Sequence, residues 1–454
     1  MPVSGEKVRS FRTNVLRSRG RALCEVLPLR KHADGRCAIM RRLFAFVFLV
    51  LVVMAFGQQI KGSLVIVGGG NIPQVIEECR LIFQRFIELA CEGRKKTVDT
   101  VKIGIMPTAS SRPIQSARSF MEDFKKFGVK EENMYIIPIA LFNDDSTEKV
   151  DESLWRDNAN SEAVAREIEK LDGIWFVGGD QTRYVNTLLK DGKETPVLRA
   201  IWKIYEEGAV LGGSSAGAAI MTDPMISGGT SFDALLRGIT YEDDGSPRLF
   251  ITKGLGFFKG YIVDQHFSRR GRFARLLVAM ADQNIKKGFG IDENTALIVK
   301  RMEEIEVVGM GGVFLLDLSE ASAEKVGGTW SFERVRISYF EKGDKFELST
   351  GRYTSNPYRK LIRANEYYES QWHSVTNFME IKNIITYDVV DNTRPEVIVL
   401  AVEDVTKPDT AFLLRFYKDK NTRGYWGKIN EVETYGVLNV LMDLKPVKLK
   451  IESF

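Results

Sequence analysis

Two adjacent serines, Ser214 and Ser215, stand in the run AVLGGSSAGAAIM, where every other residue from Gly212 to Ala219 is glycine or alanine. Gly213-Ser214-Ser215-Ala216-Gly217 has G-x-S-x-G spacing, which at a sharp strand-to-helix turn projects the central hydroxyl alone. The chemistry this suits is acyl transfer. Ser215 would be the nucleophile and Ser214 would face the scaffold, while the next helix would turn its free amides and positive dipole end towards an oxyanion. The alternative is structural, a glycine-rich helix start capped by serine.

A serine nucleophile needs a base, and only His266 and His373 follow residue 57. His373, in ESQWHSV, has no glycine turn or neighbouring acid. His266, in YIVDQHFSRRGRFARLL, sits where an apolar strand ends in a polar cluster and a helix begins. A lone histidine is often only structural, but this one shares a strand end with the serine's sheet. An α/β-hydrolase order, with the acid before the histidine, would force the choice of His373. The other order is Ser215, His266, then an acid from GFGIDENTALIV, where Asp292 and Glu293 both precede a strand. Either carboxylate would orient the imidazole and stabilise its protonated form. Spacing does not choose between them.

The surrounding pattern supplies the scaffold. From residue 60, short apolar strands alternate with amphipathic helices: SLVIVGGG, VKIGIMPTAS, NMYIIPIA, DGIWFVGGDQ and AVLGG are the strands. That order predicts an α/β fold with a mostly parallel sheet covered by helices on both faces. Ligands of such sheets bind at the carboxyl ends of the strands. Three glycine-rich loops leave those ends, at residues 68–70, 178–180 and 212–215. The first lacks the spacing of a dinucleotide fingerprint, with Pro73 where its third glycine should stand. Beyond Trp330 the texture changes to antiparallel strands. RKLIRANEYYESQW reads as a helix and EVIVLAVEDV and TAFLLRFYKD as strands of a small C-terminal α+β appendage without a chemical motif.

Charge and cysteine content narrow the partners. The segment 1–57 holds 11 basic and 3 acidic residues, leaving 53 basic and 57 acidic in the remainder, which argues against nucleic acid as a partner. Within that segment an apolar run follows Arg41 and Arg42. At about 14 residues it is short for a membrane span, which needs roughly 20. It is expected to be a signal peptide cleaved near Gln58, with Met40 as the true start and a periplasmic or extracellular product. The alternative is an uncleaved anchor, the one route to membrane contact. Cys79 and Cys91 fall on one predicted helix, about 18 Å apart, beyond disulfide reach. No cofactor or metal is expected.

The segments FVGGDQTRY, GGSSAGAAIM, DQHFSRRGRFARLL and GFGIDENTALIV together resemble the signature segments of the cyanophycinase and dipeptidase E family of serine peptidases. The resemblance runs from about residue 62 to 350. It implies a fold akin to class I glutamine amidotransferases, and a catalytic domain at 58–352 followed by an accessory region at 353–454. It also implies Ser215 as nucleophile, His266 as base and Glu293 as orienting acid, with Gly179 and Ala216 forming the oxyanion hole. Gln181, Asp264, Gln265, Arg270, Arg272 and Arg275 match the family's substrate-binding positions. The implied substrate is cyanophycin, a poly-aspartate chain carrying arginine on each β-carboxyl, cut to β-aspartyl-arginine dipeptides. A dipeptidase of small β-aspartyl peptides and a catalytically silent binding protein are the alternatives, and a homodimer is compatible with either.

Overall fold

Strand β1 (Ser63–Val67) shows why the first sheet is covered on both faces. Leu64 and Ile66 point into one apolar core and Val65 and Val67 into another, as the two-residue period of a strand requires. Helix α1 (Glu77–Arg94) covers the second core with Phe83 and Phe86, which meet Phe124 and Trp175 in an aromatic cluster. In the computed structural model, the described residues are 60–70, 77–363, 375–404 and 410–449. The leader, its predicted cleavage site and His373 lie outside them. Among the described residues no helix is long and apolar enough to cross a membrane.

The chain continues as β2 (Ile103–Met106), α2 (Pro113–Lys126), β3 (Met134–Ile136), α3 (Glu162–Ile168), β4 (Gly173–Phe176), α4 (Gln181–Leu188), α5 (Pro196–Glu206), β5 (Val210–Ser214) and the single turn α6 (Ala216–Ala219). Local signals set these boundaries. Thr195 caps α5 by accepting from the Leu198 amide, with Pro196 at the first helical position. Asp180 caps α4 by accepting from the Thr182 amide, which fixes the glycine loop before it.

After an intervening small three-stranded sheet come β6 (Ile262–Asp264), α7 (Phe273–Asp282), β7 (Lys287–Ile291), β8 (Thr295–Lys300), β9 (Glu304–Gly309), β10 (Gly312–Asp317), β11 (Thr329–Glu341) and β12 (Lys345–Glu347). The first sheet runs β12-β9-β8-β1-β5-β4-β2-β3, with Tyr353–Thr354 on the outer edge of β12. Strands β1 to β5 are mutually parallel, as the alternating pattern predicts, and β8, β9 and β12 extend the sheet antiparallel.

The remaining strands are β13 (Glu396–Val402), β14 (Thr410–Tyr417), β15 (Arg423–Ile429) and β16 (Val432–Lys448). They continue a second sheet in the order β6-β7-β10-β11-β16-β14-β13. Residue 353 therefore does not mark a break in this sheet, because β11 and β16 lie antiparallel side by side. The described residues cluster as one compact unit. The helix read from RKLIRANEYYESQW does not begin at its start. Arg359–Leu361 is a short strand paired with β15, and the buried Arg359 guanidinium holds Asp344 at 2.5 Å. That tertiary pairing outweighs local helical preference; residues 364–372 lie outside the described residues.

Candidate active site

Ser215 follows β5 directly with φ +55° and ψ −106°, a strained turn for a side-chain-bearing residue. Two glycines make that turn possible. A Cβ on Gly213 would lie 2.5 Å from the Gly217 carbonyl oxygen, and one on Gly217 would lie 2.2 Å from that of Phe176. Ser215 occupies the N-cap position of α6, yet its side chain makes no cap bond. Its Oγ lies 2.9 Å from His266 Nε2 instead. Ser214 is buried at the strand end.

His266 follows β6 and is 7% exposed. Its Nδ1 lies 2.6 Å from Glu293 Oε1, and the other carboxylate oxygen accepts from Arg269 at 2.9 Å. Asp292 is directed elsewhere: its Oδ1 accepts from the Ser268 amide at 3.0 Å and its Oδ2 from the Gly312 amide at 3.3 Å. Geometry thus separates two neighbouring acids that spacing left equivalent.

The end of β1 and the glycine loop after it gather all three groups. The carbonyl of Val67 accepts the Ser215 amide, Gly68 accepts that of His266 and Gly69 accepts that of Asn294, at 3.1, 2.7 and 2.8 Å. Gly69 has φ +94°, and a Cβ there would come 2.3 Å from the His266 ring. The first glycine loop therefore has a use that excluding a nucleotide did not supply. Its signal in the sequence was the absence of side chains, which permits backbone contact on every side.

Burial pushes the His266 imidazole below its ordinary pKa, as do the Arg270 and Arg272 charges, while Glu293 acts in the opposite direction. Burial alone would raise Glu293, but its bond to His266 and the Arg269 charge hold it below the usual carboxylate range. Near neutral pH these shifts favour a neutral imidazole between a hydroxyl and an ionised carboxylate. Such a set can remove the serine proton and return it to a leaving group. Ser215, His266 and Glu293 open onto a cleft of about 1170 Å³ that Gly178, Gly179, Arg269 and Arg270 also line. The Ala216 amide opens α6 and so has no acceptor within the helix.

Comparison with known proteins adds the family. Residues 102–307 match Peptidase family S51. The cyanophycinase of Synechococcus elongatus is 30% identical over 296 residues, covering 64% of this chain and 80% of that protein. The chain belongs to peptidase family S51. Other similar proteins are the cyanophycinases of Geminocystis herdmanii, 29% identical over 299 residues (64% of this chain, 96% of that one), and Trichormus variabilis, 32% over 252 (54% and 75%). A crystal structure of a peptidase from an acI-B1 Actinobacterium gives a TM-score of 0.44 at 19% identity, over 65% of this chain and 100% of that one. The S51 chain is a serine-type hydrolase similar to cyanophycinases.

The S51 peptidase brings only part of the predicted substrate-binding set to the cleft. Arg270 is exposed on its wall. Asp264 and Arg275 instead form a buried two-pronged pair at 2.7 and 2.6 Å, and Arg275 also donates to the Gly229 carbonyl. Arg272 donates to the carbonyl and the side-chain oxygen of Gln265. Burial and the neighbouring Arg275 charge bring its guanidinium down to about 9. Gln181 donates to the Ser227 carbonyl at 2.8 Å, on the rim of an adjoining hollow of about 380 Å³. Glu242, Asp243 and Asp244 line that hollow, and Gly179 lines both spaces. The sequence reading missed Gln115, Ser116 and Ser119 on the cleft wall. Their signal was a polar patch opening the amphipathic α2.

Proposed function

We propose that this peptidase hydrolyses cyanophycin, releasing β-aspartyl-arginine dipeptides through an acyl-enzyme on Ser215. The observation that carries the reading is the continuous chain Ser215–His266–Glu293 at the cleft, in a chain similar to cyanophycinases. As Ser215 Oγ attacks the scissile carbonyl, His266 Nε2 takes its proton. The imidazolium is held through Nδ1 by Glu293. The amides of Gly179 and Ala216 would receive the developing oxyanion, a contribution commonly worth about a hundredfold or more. His266 then protonates the departing amine, and water attacks the ester with His266 as base again.

Charge around the cleft supports the substrate. The exposed Arg270 offers its guanidinium to a carboxylate, and Glu242 and Asp243 in the hollow beyond Gly179 offer carboxylates to a guanidinium. A substrate bearing both groups near its scissile bond would use both. The purified chain should solubilise insoluble cyanophycin and release dipeptide, whereas activity confined to short β-aspartyl peptides would assign it to the small substrates. We also propose that the product is exported through its leader. N-terminal sequencing of the native protein should then start near Gln58, and an intact leader in a membrane fraction would contradict it.

A further inference from the structure

The region after residue 353 reaches the catalytic loops from below. Gly271, in the loop that carries His266 and its arginines, packs against the backbone of Asn377: a Cβ at 271 would lie 2.4 Å from the Asn377 carbonyl oxygen. Phe378 is buried and meets Phe232 at 5.2 Å. One helical turn further on, Lys382 Nζ lies 2.6 Å from Glu341 Oε1 and 5.4 Å from the centre of the Tyr339 ring. Tyr339 is fully buried and donates to the same Glu341 oxygen at 3.1 Å. That ring covers Gly312, where a Cβ would come within 2.4 Å of the tyrosine hydroxyl. Gly312 in turn gives its amide to Asp292.

Asp292 ties the two halves of the catalytic machinery together. It accepts from Ser268, two residues after His266, and it precedes Glu293 directly. The Lys382 charge acts on this carboxylate. Beneath the site lie the carboxylates Asp292, Glu341 and Asp344, with the cations Lys382 and Arg359. Removing Lys382 would leave three acids to one guanidinium, and the resulting repulsion falls on the residue that sets the spacing of histidine and acid.

We propose that Lys382 is a positioning residue for hydrolysis, acting through Glu341, Tyr339 and Asp292 to hold the His266 loop against Glu293. The region after residue 353 then contributes to catalysis without touching substrate. The proposal rests on Ser215 being the nucleophile, and the test separates the two. Full-length wild type, Lys382→Gln, Lys382→Arg and Asp292→Asn are compared for kcat, KM and the rate at which a fluorophosphonate labels Ser215. Lys382→Gln should lower kcat and the labelling rate together by about tenfold to a hundredfold, the cost of a small misplacement of reacting groups, with KM little changed. Lys382→Arg should recover most of the loss, and Asp292→Asn should also lower kcat, because its amide nitrogen cannot accept from the Ser268 or Gly312 amide. Wild-type kcat in folded Lys382→Gln, or a change confined to KM, would overturn the proposal. If Lys382→Gln does not fold, Tyr339→Phe, which removes the hydroxyl that ties the ring over Gly312 to Glu341, decides in the same way. Absence of labelling at Ser215 in the wild type would instead reject the nucleophile and leave Lys382 without a reaction to position.

Discussion

The two sides of the catalytic cleft are held in different ways. On the Ser215 side, the turn from β5 into α6 is almost bare of side chains: Gly213 and Gly217 clear the space and backbone geometry projects Ser215. On the His266 and Glu293 side, side chains lock the loops together, through Asp292 to Ser268 and Gly312, and through Arg275 to Asp264. The end of β1 and the glycines after it join them, Val67 giving its carbonyl to Ser215 and Gly68 and Gly69 giving theirs to His266 and Asn294. Backbone-built geometry tolerates no added atoms, whereas side-chain-built geometry depends on charge. Substitutions should therefore fail differently on each side.

The largest effect should come from the reacting groups. Ser215→Ala and His266→Ala should each lower kcat by roughly a millionfold, because members of such a unit are not additive. Ser214→Ala, buried at the strand end, should keep most of the activity in a steady-state assay. Comparable losses from both serines in folded protein would erase the distinction between elbow and scaffold. Next in size, Gly69→Ala should reduce kcat by about a hundredfold, since its Cβ would displace the His266 ring.

On the side-chain side, Arg270→Lys should lower kcat/KM by about tenfold to a hundredfold if Arg270 grips a substrate carboxylate with two prongs. Arg272→Lys should act mainly on thermal stability, because its donors already serve Gln265. The pH profile sharpens the same contrast. The base must be neutral, and burial together with the Arg270 charge lowers the His266 pKa below its ordinary value of 6.5. Activity should therefore fall only as pH drops through a midpoint below 6.5. Arg270→Gln should move that midpoint upward, because a charge opposing the imidazolium is gone. The smallest effect should come from Glu242→Gln with Asp243→Asn, whose exposed carboxylates should alter KM for arginine-bearing substrates by only a few-fold.

Much of the backbone-built side was legible in the sequence. Alternating apolar strands and helices predicted the parallel sheet, and the glycine and alanine run around Ser215 predicted a bare turn. The side-chain-built side was less so. Asp292 and Glu293 are adjacent acids in one loop, and only the third dimension shows which meets the imidazole. Arg270, Arg272 and Arg275 look alike along the chain, yet one faces the cleft and the other two satisfy buried acceptors. The C-terminal strands were readable as strands, but their place in a sheet begun before residue 300 rests on the long-range pairing of β11 with β16.

The most direct test is to trap the nucleophile. Full-length protein treated with a fluorophosphonate at neutral pH should gain one adduct by intact mass, mapped by peptide fragmentation to Ser215. Labelling should be absent in Ser215→Ala and greatly slowed in His266→Ala and in Glu293→Gln, in parallel with loss of dipeptide release from cyanophycin. An adduct on Ser214 or elsewhere, or hydrolysis that persists in purified Ser215→Ala, would contradict the account.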